Sequence, residues 1–247
     1  MISDAMAEIL DLLQAPEGPR GVADADIASA AADALAMDGL AVSLVTGGDR
    51  TELVWCTDGP AREFQDLQLT LGEGPEPEAV RTGAMVWAPD LAQAGGRRWP
   101  ALGMEAPALE ASAVFCFPMV IGAIKVGVLT AVRRTAGPLT EGQADDALAL
   151  ATALTVRFLN REAPQSEGLN PLDSLGDLQH AVVHQATGML SVQLALSLPH
   201  ALLRLRAHAY SSGRSITSIS KDIVDRRLRL DHPGNGEGAS EPFADKD

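Results

Sequence analysis

The side chains able to do chemistry are few and unevenly placed. All five histidines, His180, His184, His200, His208 and His232, lie in the last third of the chain. Residues 1–177 contain none, which removes histidine-based catalysis, metal ligation and haem ligation from that part. His180 and His184 stand four residues apart, on one face of a helix. That spacing suits Zn²⁺ or donation to nucleic-acid bases. No Glu follows the first histidine as in HExxH, and no third ligand is evident, so a metal is not expected. The two cysteines, Cys56 and Cys116, form no CxxC pair. A redox enzyme needs a thiolate and a resolving partner, and two strand-borne cysteines serve it poorly. Buried structural thiols are the simpler reading.

Charge points to a different chemistry. Residues 1–177 hold 11 Lys+Arg against 26 Asp+Glu. Residues 178–230 hold seven basic residues, Arg204, Arg206, Arg214, Lys221, Arg226, Arg227 and Arg229, against only Asp222 and Asp225. The tail 231–247 is acidic again, and the whole chain has a net charge of −14. A basic segment inside an acidic chain is the footprint of a polyanion-binding module; a solvated basic helix face is the plainer alternative. Tyr210 is the only aromatic residue in that segment, so base stacking cannot dominate. Recognition there would rest on shape and phosphate contacts, with a steep salt dependence.

These residues need elements to hold them. Apolar residues make up 46% of the 247, enough for a core. No apolar run reaches the ~18 residues of a membrane-spanning helix. The acidic start, MISDAMAEILDLL, lacks the basic opening of a signal peptide. Few cysteines fit a reducing, cytoplasmic setting.

Apolar periodicity predicts helices over 3–13 and 24–37, the second capped by Asp24, with a loop at 16–22. Strands are expected at 40–46 and 51–57 around Gly47-Gly48-Asp49, a hairpin signal. A helix over 62–71 and a tight turn at Leu71-Gly72-Glu73-Gly74-Pro75 follow, then a strand at 84–88. Residues 89–112 read as irregular, and strands 112–121 and 125–133 flank Gly122. A long helix over 140–160 is capped by Thr140, with Leu148, Ala151, Thr155, Phe158 and Leu159 facing the core. This order predicts an α+β domain at 1–162, an antiparallel sheet flanked by helices. Trp55, Trp87 and Trp99 are candidates for lining a ligand pocket in it, with core packing as the alternative.

The polar, proline-containing stretch 163–171 reads as a linker. Three helical patterns fill 172–230, capped by Ser174, Ser197 and Ser215, and so small a unit gains from docking or dimerising. The first carries Leu175, Leu178, Val182, Val183, Ala186 and Leu190 on one side. The Gly-, Pro- and acid-rich tail 231–247 has the composition of disorder.

Local patterns carry the reading further. In the first domain they are residues 40–45, Asp66-Leu67-Gln68, Gly72-Glu73-Gly74-Pro75, Asp90-Leu91, Arg98-Trp99-Pro100, the hairpin 118–129 and Leu139-Thr140. In the last they are Gln185-Ala186, Gly188 and Leu190, then Ala201, Leu205-Arg206 and Ala209, then 219–224. The ordered set resembles a GAF sensor domain followed by an ANTAR RNA-binding domain, as in actinobacterial transcription antitermination regulators. Where that family usually has Cys after Gly-Glu-Gly-Pro this chain has Glu76, and Thr187 replaces a usual basic residue. The NKxFDE signature of cyclic-nucleotide GAF domains is absent, so that ligand is not expected.

The resemblance implies a cytoplasmic, non-enzymatic regulator without cofactor or membrane contact. Its sensor domain takes an unknown input. Its helical domain binds hairpins in nascent leader RNA as a homodimer. His180, His184, Gln185, Ala186, Thr187, Gly188, Arg204, Arg206, Arg214 and Lys221 are the candidate RNA-binding residues. Small residues at Ala186 and Gly188 would admit a close backbone, of RNA or of a neighbouring helix. Two alternatives stand beside this: a GAF sensor with a helix-turn-helix DNA output, and a GAF-fold methionine sulfoxide reductase.

Overall fold

The structure is a computed structural model that describes residues 1–14, 24–47, 50–161 and 180–230. It divides into two units, Met1–Ala181 and Val182–Asp247. The loop 16–22, the Asp24 cap, Gly48-Asp49 of the first hairpin, the linker 163–171, Ser174, Leu175, Leu178 and the tail 231–247 lie outside the described residues.

In the first unit the opening apolar stripe folds as Asp4–Gln14 (α1), with Met6, Ile9 and Leu13 buried. Asp24–Ala34 (α2) ends before Ala36, whose φ of 52° is left-handed, so it stops short of the expected Met37. Gly39–Gly47 (β1) and Arg50–Cys56 (β2) pair antiparallel, with a bulge between Val42 and Ser43. Pro60–Leu71 (α3) ends at Gly72, and Pro75–Thr82 (α4) begins at once. The glycine-proline motif is thus a turn, as expected, but it turns into a helix that the sequence reading omitted. Val86–Ala88 (β3) follows.

Residues 89–112 are not irregular. They form Leu91–Arg98 (α5), Pro100–Glu105 (α6) and a single 3-10 turn, Ala106–Ala108. Gly95-Gly96 inside α5 is a poor helical sequence. Tertiary bonds compensate. One Glu73 oxygen accepts from the N–H groups of Ala101 and Leu102 at 2.6 and 3.0 Å, capping α6 from outside. Asp90 caps α5 by accepting from the Gln93 N–H.

Ala113–Ile121 (β4) and Ile124–Arg133 (β5) form the second hairpin, and Glu141–Arg161 (α7) closes the described part of this unit's main body. Thr140 and Gln143 make a reciprocal cap: each backbone N–H donates to the other's side-chain oxygen. The core stripe of α7 is Ala147, Leu150, Ala151, Leu154 and Phe158. Leu148 is exposed, so that expectation is corrected: helical period places it a residue off the buried stripe.

The five strands lie in the order β2-β1-β5-β4-β3, with every neighbour antiparallel. Strand alternation sends side chains to two buried layers. Phe115, Phe117, Met119, Leu129 and Ala131 join α1, α2 and α7 on one face. Val114, Cys116, Val128 and Val132 join α3, α4, α5 and α6 on the other. Burying apolar surface at roughly 25 cal/mol per Å² makes these two layers the main source of stability.

The second unit takes up the helix Ala181–Gln193 (α8) from Val182 onward and buries its Val183, Ala186 and Leu190. Leu198–Ser211 (α9) buries Ala201, Leu205 and Ala209, while Leu202 is only half-buried. Ile216–Val224 (α10) buries Ile216, Ile219 and Ile223. Ser215 caps α10 by accepting from the Ser218 N–H at 3.1 Å. Ser197 sits at the cap position of α9, but its hydroxyl pairs with His200 Nδ1 at 2.6 Å and caps no N–H. The axes of α8 and α9 are bent by 109° at their junction. Among the described residues no single helix is long and apolar enough to cross a membrane.

Candidate functional site

The sheet face beneath α3 and α4 is apolar except for a row of small polar side chains. The register places Ser43 opposite Val128, and Cys116 opposite Thr130, on this face. Thr51 joins them from β2. Gly127 lets β1 and β5 close here, because a Cβ at that position would lie 2.3 Å from the Ser43 carbonyl oxygen. Over this row α3 and α4 lay three long polar side chains, Gln65, Gln68 and Glu76, all buried.

These groups form a directional chain. The Glu76 backbone N–H donates to Gln68 Oε1 at 2.9 Å. Gln68 Nε2 donates to Gln65 Oε1 at 3.4 Å. Thr51 and Thr130 donate their hydroxyls to the two oxygens of the Glu76 carboxylate, at 3.0 and 3.3 Å. Gln65 Nε2 ends the chain, buried beside the Glu76 carboxyl. It is near enough to Glu76 to favour that group's charged form.

Burial pushes the Glu76 carboxyl above the usual carboxylate range; Gln65, Ser43, Thr51 and Thr130 pull it back by hydrogen bonding. A carboxylate held away from water by amides and hydroxyls, with no cation from the groups named here, is a costly arrangement for packing alone. Among the described residues no three His, Cys, Asp or Glu side chains gather to hold a metal ion.

The thiols belong to the same layer but are poor nucleophiles. Burial pushes Cys56 up to about 12, and it pushes the fully buried Cys116 upward too. Both therefore stay protonated near neutral pH, which does not suit thiolate chemistry.

The three tryptophans do not share a pocket. Trp55 lies opposite Val42 on edge strand β2, and Trp87 opposite Phe115 on edge strand β3. They occupy opposite edges of the sheet on the α1–α2–α7 face. Trp87 is exposed and meets Phe115 edge-on, with ring centroids 6.4 Å apart. Trp99 is buried in the other layer, where its Nε1 donates to Glu78 at 2.9 Å and Arg98 covers its ring. The expectation of a common lining is corrected: strand register separates the first two, and a helix corner takes the third.

The second unit presents the basic surface. His184, Gln185, Arg204, Arg214 and Lys221 are exposed, and Gly188 and Arg206 are half-buried. Among the described residues nothing beyond its own turn of helix lies within 4 Å of where a Gly188 Cβ would stand, so packing against them does not require glycine there. Ala186 is fully buried, and Thr187 is nearly so, with its hydroxyl donating to the Val183 carbonyl at 2.7 Å. His180, in the first unit, is buried too, and its backbone N–H donates to Glu52 at 3.2 Å. Those three therefore stand in the interior and not on the surface expected of RNA contacts. Arg214 is engaged by Asp222 at 2.6 Å and by Ser218, and Arg227 also reaches Asp222, at 2.9 Å.

The polar chain escaped the sequence reading because its members come from five elements. Its one signal was Glu76, an acid where the resembling family usually has Cys.

No family model matches this chain, and no curated protein matches it. Several solved structures are similar to it. The GAF domain from an Acinetobacter phosphoenolpyruvate-protein phosphotransferase is 14% identical, with a TM-score of 0.49 over 67% of this chain and 96% of that one. The GAF domain of the corresponding Coxiella burnetii protein is 17% identical, with a TM-score of 0.47 over 64% and 96%. Free methionine-R-sulfoxide reductase from Neisseria meningitidis is 21% identical, with a TM-score of 0.45 over 63% and 86%.

Proposed function

We propose that the chain is a non-enzymatic regulator of transcription antitermination. Its first unit is a GAF-type sensor. Its second is an ANTAR-type module that binds hairpins in nascent leader RNA as a homodimer. The observation that carries this reading is the exposed basic surface of α9 and α10, set in a chain of net charge −14. Lys and Arg that neutralise phosphates release counterions, so such a surface binds polyanions with a strong salt dependence. Exposed Arg204 and Lys221 are the proposed phosphate contacts, and His184, Gln185 and Gly188 the groups nearest the bases. The raised thiols of Cys56 and Cys116 favour a sensor over a thiol enzyme.

Titration of the full chain with a two-hairpin leader RNA tests the reading. Arg204→Ala with Lys221→Ala should weaken binding and lower the salt slope by about two. Unchanged affinity and slope would overturn it. A second reading, duplex-DNA binding, is favoured by one observation: the 109° bend at α8–α9, within the range of helix-turn-helix pairs. Competition between duplex DNA and hairpin RNA at fixed salt separates the two.

A further inference from the structure

We propose that the outer face of α9 is a docking surface for the chain's own acidic segment 231–247, seated through Phe243, and that this segment competes there with RNA. The docking stands on its own observations; the competition rests on reading the second unit as an RNA-binding module. α9 has two apolar faces. Ala201, Leu205 and Ala209 form the buried one. Pro199, Leu203, Ala207 and Tyr210 form a second line along the helix, and all four are exposed. Leu203 is 62% exposed and Tyr210 47%. A contiguous apolar line rimmed by polar groups marks a binding surface rather than a solvated face. Exposed His200 and Arg204 run along one side of it, each one residue on from Pro199 and Leu203, and α9 holds no acid. An occupant of this face must therefore bring an apolar side chain together with negative charge.

A second copy does not meet that requirement, because two such faces would set His200 and Arg204 against their own kind. RNA supplies the charge but leaves Leu203 and Ala207 unmatched, since bases stack on aromatic or planar groups. The segment 231–247 supplies both. It has five acids, Asp231, Glu237, Glu241, Asp245 and Asp247, against Lys246. Phe243 is its one large apolar side chain, set between Glu241 and Asp245. Its starting point is fixed. Leu230 is buried, and its carbonyl accepts from Nε2 of Gln193, the last residue of α8. α9 begins five residues after Gln193. Phe243 follows Leu230 by thirteen residues, up to ~43 Å of extended chain, whereas α9 is ~21 Å long. Phe243 can therefore reach any point on the line. A tethered segment meets its surface at an effective concentration on the order of millimolar, so a modest anchor holds it. Its acids then lie against Arg204, one of the proposed phosphate contacts.

The experiment uses the full chain, labelled with 3-fluorotyrosine at Tyr210, its only tyrosine, so that one ¹⁹F signal reports on the surface. The wild type is compared with Phe243→Ala, which leaves the charge unchanged. The two signals should differ at low salt. Salt at 1 M, which shortens the screening length to about 3 Å, should move the wild-type signal to the variant's position. Phe243→Ala should bind a two-hairpin leader RNA about threefold more tightly at low salt, because the tethered competitor is released. Leu203→Ser, an exposed change on the other side of the contact, should raise RNA affinity equally, and the two changes combined should raise it no further. One signal position for both proteins at low salt overturns the docking. So does a wild-type position that changes with protein concentration, which puts a second copy on the surface. Differing signals with equal RNA affinities overturn the competition. Differing signals with no RNA bound by either protein uphold the docking and contradict the proposed function.

Discussion

The side-chain oxygen of Gln68 accepts a hydrogen bond from the backbone N–H of Glu76 at 2.9 Å, and this bond turns the Gln68 amide nitrogen toward Gln65. It ties two helices across the turn Gly72-Glu73-Gly74, and it requires Gly74. That residue has φ of 143°, and a Cβ there would fall 2.4 Å from Gln68 Oε1.

Gly74→Ala should therefore destabilise the first unit by about 1–3 kcal/mol through backbone strain, more if Gln68 is displaced. A urea melt of the variant checks this. A midpoint equal to that of the wild type would show that the Gln68–Glu76 bond does not hold the turn.

Glu76 should give the fold a pH dependence of known sign. Its folded pKa is raised, so the folded state holds the proton more tightly than the unfolded chain. The stability it confers is complete below the ordinary carboxylate pKa of about 4.3 and is lost as pH rises through the folded value. Glu76→Gln should remove that decline and leave the variant relatively more stable at alkaline than at acid pH. Denaturation of both proteins across pH reads the difference directly. A variant that loses most ground at high pH would mean the charged carboxylate is the favoured form.

Gly188 separates a packing role from a binding role. Among the described residues no atom beyond its own turn of helix lies within 4 Å of its missing Cβ, so Gly188→Ala should stabilise α8 by about 1 kcal/mol through helix propensity. If RNA approaches this face, the same change should weaken RNA binding. A rise in melting temperature with unchanged affinity would remove Gly188 from the interface.

Asp222 restrains two of the basic residues. It accepts from Arg214 at 2.6 Å and Arg227 at 2.9 Å. Exposed pairs contribute little to stability, typically under about 1 kcal/mol. Asp222→Asn should cost little fold and raise RNA affinity at low salt by loosening Arg214, and Arg227 in part since it also pairs with Asp225, and by removing a like charge from the phosphates. Weaker RNA binding by a folded variant would show that Asp222 instead holds Arg214 in its binding geometry.

Much of this architecture was legible in the sequence because apolar period reports it. Met6, Ile9 and Leu13 announce α1, and the alternation in 113–119 announces a strand buried on both faces. The segments α4, α5 and α6 were not legible. They are short and contain Gly or Pro, and α6 is capped through Glu73, a bond made by tertiary structure. The candidate site was legible only at Glu76. Thr51 and Thr130 each look like ordinary strand residues until the sheet places them beneath α4. The tryptophans misled because residue type says nothing of which sheet edge or face a side chain occupies. In α8 the spacing of Val183, Ala186 and Leu190 already marked Ala186 as interior, and the family resemblance drew it toward the surface.

The most direct test of the central claim is fluorescence anisotropy of a labelled two-hairpin leader RNA with the full chain, at low and at physiological salt. The account predicts saturable binding that weakens steeply with salt and resists competition by duplex DNA. Absence of binding to any stem-loop at low salt, or stronger competition by duplex DNA, would contradict it.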